Sequence, residues 1–187
     1  MKTFIKDVWD LLALNAKEIN YYEKYSIAIS SLIIFIVGIA FYLAMPIPAN
    51  NAMAGFIFSN IVNFLIFIIA TLFLRLWLKV KELSISFSAL YSLSALASII
   101  DILVLPVDRL SAWLELPILL GFNAVLFIYS LIIIISAISK STNTSKGFAL
   151  SGMLLAFLLI VIFSAVAHLL GMEMGILLPP EPFAVNP

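Results

Sequence analysis

The sequence predicts an all-α, polytopic membrane protein: a five-helix transmembrane bundle preceded by an N-terminal amphipathic arm. Three observations carry this. Hydrophobic residues fill 64% of the 187 positions and charged ones only 11%, against roughly 45–50% and about 25% in a soluble domain. So few charges cannot cover a surface facing water. The charges are also segregated: residues 25–74, 83–100, 116–139 and 147–172 contain no Asp, Glu, Lys or Arg. Finally, these runs have the length of membrane crossings, because a helix rising about 1.5 Å per residue needs about 20 apolar residues to cross a hydrocarbon core.

The N-terminal arm, residues 1–25, carries a helical stripe of Phe4, Ile5, Val8, Trp9 and Leu12, with Lys2, Lys6, Asp7 and Asp10 mostly off it. This suits a helix lying in the cytoplasmic headgroup plane with Trp9 at the boundary; packing on the loops of the bundle is the alternative. Asp7 and Asp10 read as a solvated face, and Tyr21, Tyr22 and Tyr25 as an interfacial aromatic anchor. The spans follow at about 26–46, 54–78, 84–105, 116–138 and 147–171. The 50-residue run at 25–74 splits into a hairpin at Pro46-Ile47-Pro48-Ala49-Asn50-Asn51. Residues 106–115 read as an outer interfacial turn or short helix anchored by Trp113, and 172–187 as an extracytoplasmic proline-rich tail. Uninterrupted apolar residues from 32 to 39 contradict the alternation of a transmembrane barrel. The first span is too long, and its leading arm too acidic, for a cleavable signal.

Lys and Arg set the orientation. Lys2, Lys6, Lys17, Lys24, Arg75, Lys79, Lys81, Lys140 and Lys146 fall on one side of the path and Arg109 alone on the other. The N-terminus is therefore expected in the cytoplasm and the C-terminus outside, in a plasma (inner) membrane. Asn143-Thr144-Ser145 matches a glycosylation acceptor but falls on the cytoplasmic side.

Two sets of polar residues stand inside the spans. Ser84, Ser88, Ser92, Ala95 and Ser98 share one helical face of the third span, with Tyr91 beside them. Small residues and hydroxyls of this kind let helices approach and bond across an interface; a serine-lined polar path is the alternative. The second set is Asp101, Asn60, Asn63, Asn123 and His168, all at outer depth. A carboxylate at membrane depth is costly unless it reaches water, pairs or protonates. The set is expected either to converge on Asp101 in an outward-facing pocket, with His168 as its partner, or to reach interfacial water residue by residue. Gly171-Met172-Glu173-Met174-Gly175 has the spacing of a dimerisation motif.

Other chemistries are excluded or unsupported. Ten Lys and Arg balance ten Asp and Glu, leaving no basic excess for nucleic acid. The absence of cysteine removes disulfides, thiolate metal sites and cysteine nucleophiles. A single histidine, and no hydrolase, metalloprotease, phosphate-loop or dinucleotide motif, leave no catalytic, cofactor or metal site to assign.

The plan resembles the Yip family of Ypt-interacting proteins in its prokaryotic form. Phe87-Ser88-Ala89-Leu90-Tyr91-Ser92-Leu93 is similar to the segment near the start of that family's third span. Ser145-Lys146-Gly147-Phe148-Ala149-Leu150 is similar to the pattern entering its last span. The resemblance implies five packed spans, a cytoplasmic arm and no enzymatic role. The expected function is thus interaction with membrane lipids and with a second copy or another membrane protein. The competing expectation is a small transporter or channel around Asp101.

Overall fold

The computed structural model describes residues 2–115 and 120–179. Its described residues form seven α-helices: α1 (Lys2–Leu12), α2 (Ile27–Ala44), α3 (Ala52–Lys79), α4 (Phe87–Ala97), α5 (Val104–Leu114), α6 (Leu120–Thr142) and α7 (Lys146–Glu173). Two 3₁₀ stretches, Ile19–Lys24 and Ser98–Leu103, complete the chain path. Five helical segments are long and apolar enough to cross a membrane; the third is the composite of α4, the second 3₁₀ stretch and α5.

Short polar side chains start the spans. Ser26, Asn51, Ser86 and Ser145 accept hydrogen bonds from the free N–H groups of the first turns of α2, α3, α4 and α7, which is what an N-cap does. Left-handed residues end others: Glu82 follows α3, Glu115 follows α5 and Asn143 follows α6, each at positive φ. Helix α7 ends on Gly175 at φ +67°, while the N–H groups of Ile176 and Leu177 both reach back to the Gly171 carbonyl, satisfying carbonyl groups the helix leaves open.

The third span departs from its predicted limits. It runs on to Leu114 and changes winding between Ser98 and Leu103. Pro106 is the cause the sequence offers. It has no N–H to give the carbonyl four residues earlier, Ile102, and it sits in the first turn of α5, where that loss costs nothing. The fourth helix runs four residues past its predicted end, to Thr142, and residues 116–119 at its predicted start lie outside the described residues.

Helix α4 is the hub. Every residue from Ala89 to Ala97 is buried, with α2, α3, α6, α1 and the first 3₁₀ stretch packed around it. The serine face is therefore not one-sided: Leu90, Leu93 and Leu96 opposite it are as buried as Ser92. By contrast α7 buries only Ala149, Gly152, Ala156, Ala167 and Gly171, a seam of small residues against α3. At Gly152 an added Cβ would lie 2.5 Å from the Trp77 ring, which stacks on Phe148 and donates its indole N–H to the Phe148 carbonyl. The rest of α7 presents leucine, isoleucine, valine and phenylalanine outward.

At the end of the bundle that holds the α2–α3 turn, residues beyond α7 fold back on that turn. The Asn50 N–H bonds to the Ile176 carbonyl, the Leu178 N–H bonds to the Pro48 carbonyl, and the Asn50 side chain donates to Gly175. Leu177 is buried against Gly171. The GxxxG spacing at Gly171 and Gly175 thus serves, within this chain, a close packing contact and a helix stop. Pro180 and the residues after it, half of the predicted tail, lie outside the described residues.

Candidate functional site

The arm does not lie apart from the bundle. Leu14, at positive φ, turns the chain after α1, and the 3₁₀ stretch that follows brings Tyr21, Tyr22 and Tyr25 back over the arm. Leu11, Tyr22 and Tyr25 are buried, with Phe4, Val8 and Leu12 packed on the same core. Tyr129 of α6 donates to the Leu12 carbonyl (2.7 Å) and Lys140 to the Leu14 carbonyl. The expected stripe therefore divides. Phe4, Val8 and Leu12 face the protein, whereas Trp9 (71% exposed) and Ile5 (57%) face outward.

Asp7 corrects the sequence reading most sharply. It is 1% exposed rather than solvated. Lys17 Nζ donates to Oδ1 at 2.7 Å, Tyr21 donates to Oδ1 at 2.9 Å, and Lys24 and Tyr25 both donate to Oδ2. The two ammonium groups also sit over the Tyr21 ring. Burial pushes the Asp7 carboxyl up, but hydrogen bonds from Lys17, Lys24, Tyr25 and Tyr21 outweigh it and hold the group far below the usual carboxylate range. The bond to Asp7, helped by Tyr21, raises Lys17. Desolvation lowers Lys24, yet its bonds to Asp7 and Tyr21 give a net rise. Burial, then the bond to Asp7, raises Tyr25. The tyrosines predicted as a lipid-facing anchor are the walls of this ion cluster. A helical wheel misses it because the partners arrive from a separate turn of chain.

The serine set of the third span is used in packing. Ser92 shares a hydrogen bond with Ser30 of α2 (2.8 Å), Tyr91 shares one with Ser31 (3.2 Å), and Ser98 donates to the Ala95 carbonyl (2.9 Å). Ala95 is fully buried, Ser88 is half-buried, and Ser84 is exposed in the turn before α4. Hydroxyls bonded in this way are not lined up for a permeating ion.

The second set does not converge in one pocket. Asn63 and His168 line a cleft of 330 Å³ between α2, α3 and α7, together with Tyr42, Ser59 and Ser164. It is lined on α3 from Phe58 to Ile66, about 12 Å at about 1.5 Å per residue, and reaches Ile47 in the α2–α3 turn. Asp101 and Asn123 line a different chamber of 230 Å³ between α2, α5 and α6. Phe41 and Met45 of α2 line both and so form the partition. Asn60 lines a third, apolar groove with Phe35, Phe56, Ile57, Ile61 and Phe64. Among the described residues, no hydrogen bond or ion pair joins Asp101 to His168. The Asp101 carboxylate accepts instead from Ser130 of α6, at 3.3 Å. The shared depth was legible; the direction around the bundle was not, because the 3₁₀ stretch carries Asp101 onto α6.

Asn60 and Asn63 also make the α2–α3 contact. A Cβ added at Gly38 would meet Asn60 Oδ1 at 2.7 Å and Asn63 Nδ2 at 2.8 Å, so only glycine admits both amides. The Asn60 and Asn63 amide N–H groups donate to the Phe56 and Ile34 carbonyls. Ser59 Oγ, Asn60 Oδ1 and Asn123 Oδ1 are buried without a hydrogen-bond partner among the described residues. Nor do the described residues contain a group of three His, Asp or Glu able to hold a metal. Compared with family models, curated proteins and solved structures, the chain matches none.

Proposed function

We propose that this chain is a non-enzymatic integral membrane protein of the Yip type, set in a plasma (inner) membrane, that works by contacting lipid and a membrane-protein partner. The docked arm is the observation that carries this reading. The Asp7 cluster ties one side of α1 to the 3₁₀ stretch that packs on α4, and the other side offers Trp9 and Ile5, both mostly exposed, next to Lys6. An aromatic and an aliphatic side chain beside a lysine, held on a fixed helix, suit a headgroup boundary or a partner helix lying there. The lysine distribution supports a cytoplasmic N-terminus. The arm is bonded to the α3–α4 connection, where Ser86 donates to Glu23, and to the end of α6, where Lys140 donates to the Leu14 carbonyl. Together with the helix ends that flank them, the arm and the α3–α4 and α6–α7 connections hold nine of the ten Lys and Arg.

The test uses the full chain in vesicles with Trp77 and Trp113 replaced by Phe, leaving Trp9 as the reporter. Brominated lipid is expected to quench Trp9 strongly and aqueous iodide weakly. Iodide quenching equal to that of free tryptophan, with no lipid quenching and no co-purifying partner, overturns the reading. The second reading, a transporter or channel, draws on the cleft that reaches Ile66. Solute flux above that of protein-free vesicles favours it.

A further inference from the structure

We propose that the chamber beside Asp101 is a binding site for a small organic ammonium ion, with the Asp101 carboxylate as its countercharge. The chamber holds 230 Å³, several times the roughly 30 Å³ of one water in the liquid. Its walls are apolar and aromatic: Phe41, Val104, Leu126 and Phe127. Its polar groups are Asp101 and Asn123.

Those two groups are short of donors. Among the described residues, the Asp101 carboxylate has one hydrogen bond, from Ser130 Oγ at 3.3 Å, beyond the usual range for a hydroxyl on a carboxylate. Asn123 Oδ1 is buried with no partner. Among the described residues, no Lys, Arg or His forms an ion pair with Asp101; the ion pairs are those of Lys17 and Lys24 with Asp7 and Asp10. Arg109, the cation nearest in sequence, donates to the Leu43 carbonyl.

A charge at this depth is costly until it is paired. A primary ammonium supplies what is missing: one positive charge and three N–H donors for the carboxylate and the amide oxygen. Phe41 and Phe127 line the chamber, aromatic rings being groups that attract a cation, and the aliphatic walls take its hydrocarbon part. A hydrated inorganic ion would leave those walls unused. The site requires binding alone, so it stands apart from the arm-based reading above and is tested separately.

The experiment places the full chain in nanodiscs of zwitterionic lipid and titrates it with benzylammonium and with the neutral benzyl alcohol, followed by ligand-observed NMR. The cation is expected to bind at least about tenfold more tightly than the alcohol, the scale of a hydrogen bond to a charged group. Asp101→Asn should remove that preference, while His168→Ala, in the other cleft, should leave it unchanged. Leu126→Trp, which fills the chamber without touching the acid, should abolish binding and decides the matter if Asp101→Asn does not fold. Equal affinity for the alcohol, or full binding by either chamber variant, overturns the proposal. So does loss of benzylammonium binding in His168→Ala, or displacement of benzylammonium by an equal concentration of sodium.

Discussion

Two carboxylates of this chain, Asp7 buried and Asp101 partly buried, live under opposite conditions. Asp7, in the arm outside the five apolar spans, is enclosed by two lysines and two tyrosines. Asp101, within a membrane span, has one serine. The expensive location has the poorer solvation. Asp7 is thus part of what holds the arm in place, whereas Asp101 is a charge the fold tolerates without using it for stability. A fold-supporting acid is recognised by the completeness of its partners, and a site-forming acid by their shortage.

The largest expected effect breaks this contrast directly. Asp7→Ala leaves Lys24 without a counterion and Lys17 with only its longer ion pair to Asp10, and should release the arm at a cost of about 3 kcal/mol. Trypsin cleavage at Lys17 and Lys24 in vesicles reads it. Asp101→Asn should leave thermal stability in detergent unchanged or raise it by about 1 kcal/mol, because a poorly paired charge is removed. Equal losses from both variants would erase the distinction.

Next in size is Gly152→Val, which forces a branched side chain onto Trp77 where even a Cβ would lie 2.5 Å from the ring. About 2 kcal/mol should be lost, read by thermal unfolding in detergent. Ser92→Ala removes the bond to Ser30 and should cost about 1 kcal/mol, measured in the same way.

The smallest effect sharpens the comparison through pH. The Asp7 carboxyl is lowered, so its stabilisation is complete above the unfolded value near 3.9 and fades only as pH falls through the folded one. Lys17 and Lys24 are raised, so theirs is complete below about 10.4 and fades only as pH rises through the folded values. Arm protection, read by hydrogen exchange of residues 2–24, should be flat from about pH 5 to 9. A loss of protection inside that interval would show that another group holds the arm.

Much of the architecture was legible because membrane spans announce themselves by length and apolarity. The hairpin at Pro46 to Asn51 was legible for the same reason: a single uncharged run too long for one crossing. The winding change at Ser98 was less so, since Pro106 lies eight residues downstream of it. The burial of α4 on every side was hidden. Leu90, Tyr91 and Ser92 are apolar, aromatic and hydroxylic neighbours, and in lipid an apolar residue carries no signal of facing in or out. Asp7 was misread because local periodicity places it opposite the stripe, and only the reversal at Leu14 brings its partners round. The residues of the two chambers were found by type and depth, yet their grouping depended on Phe41 and Met45, which no polarity argument singles out.

The backfold of residues 176–178 onto Pro48 and Asn50 has a consequence for biogenesis. This clasp joins the earliest hairpin to the final rod and lies downstream of that rod in the polypeptide. It can shut only after α7 has been threaded, so this rim is sealed last. A nascent chain stalled before Ile176 would carry every crossing yet lack the latch, which offers a quality-control protease a physical mark of unfinished synthesis.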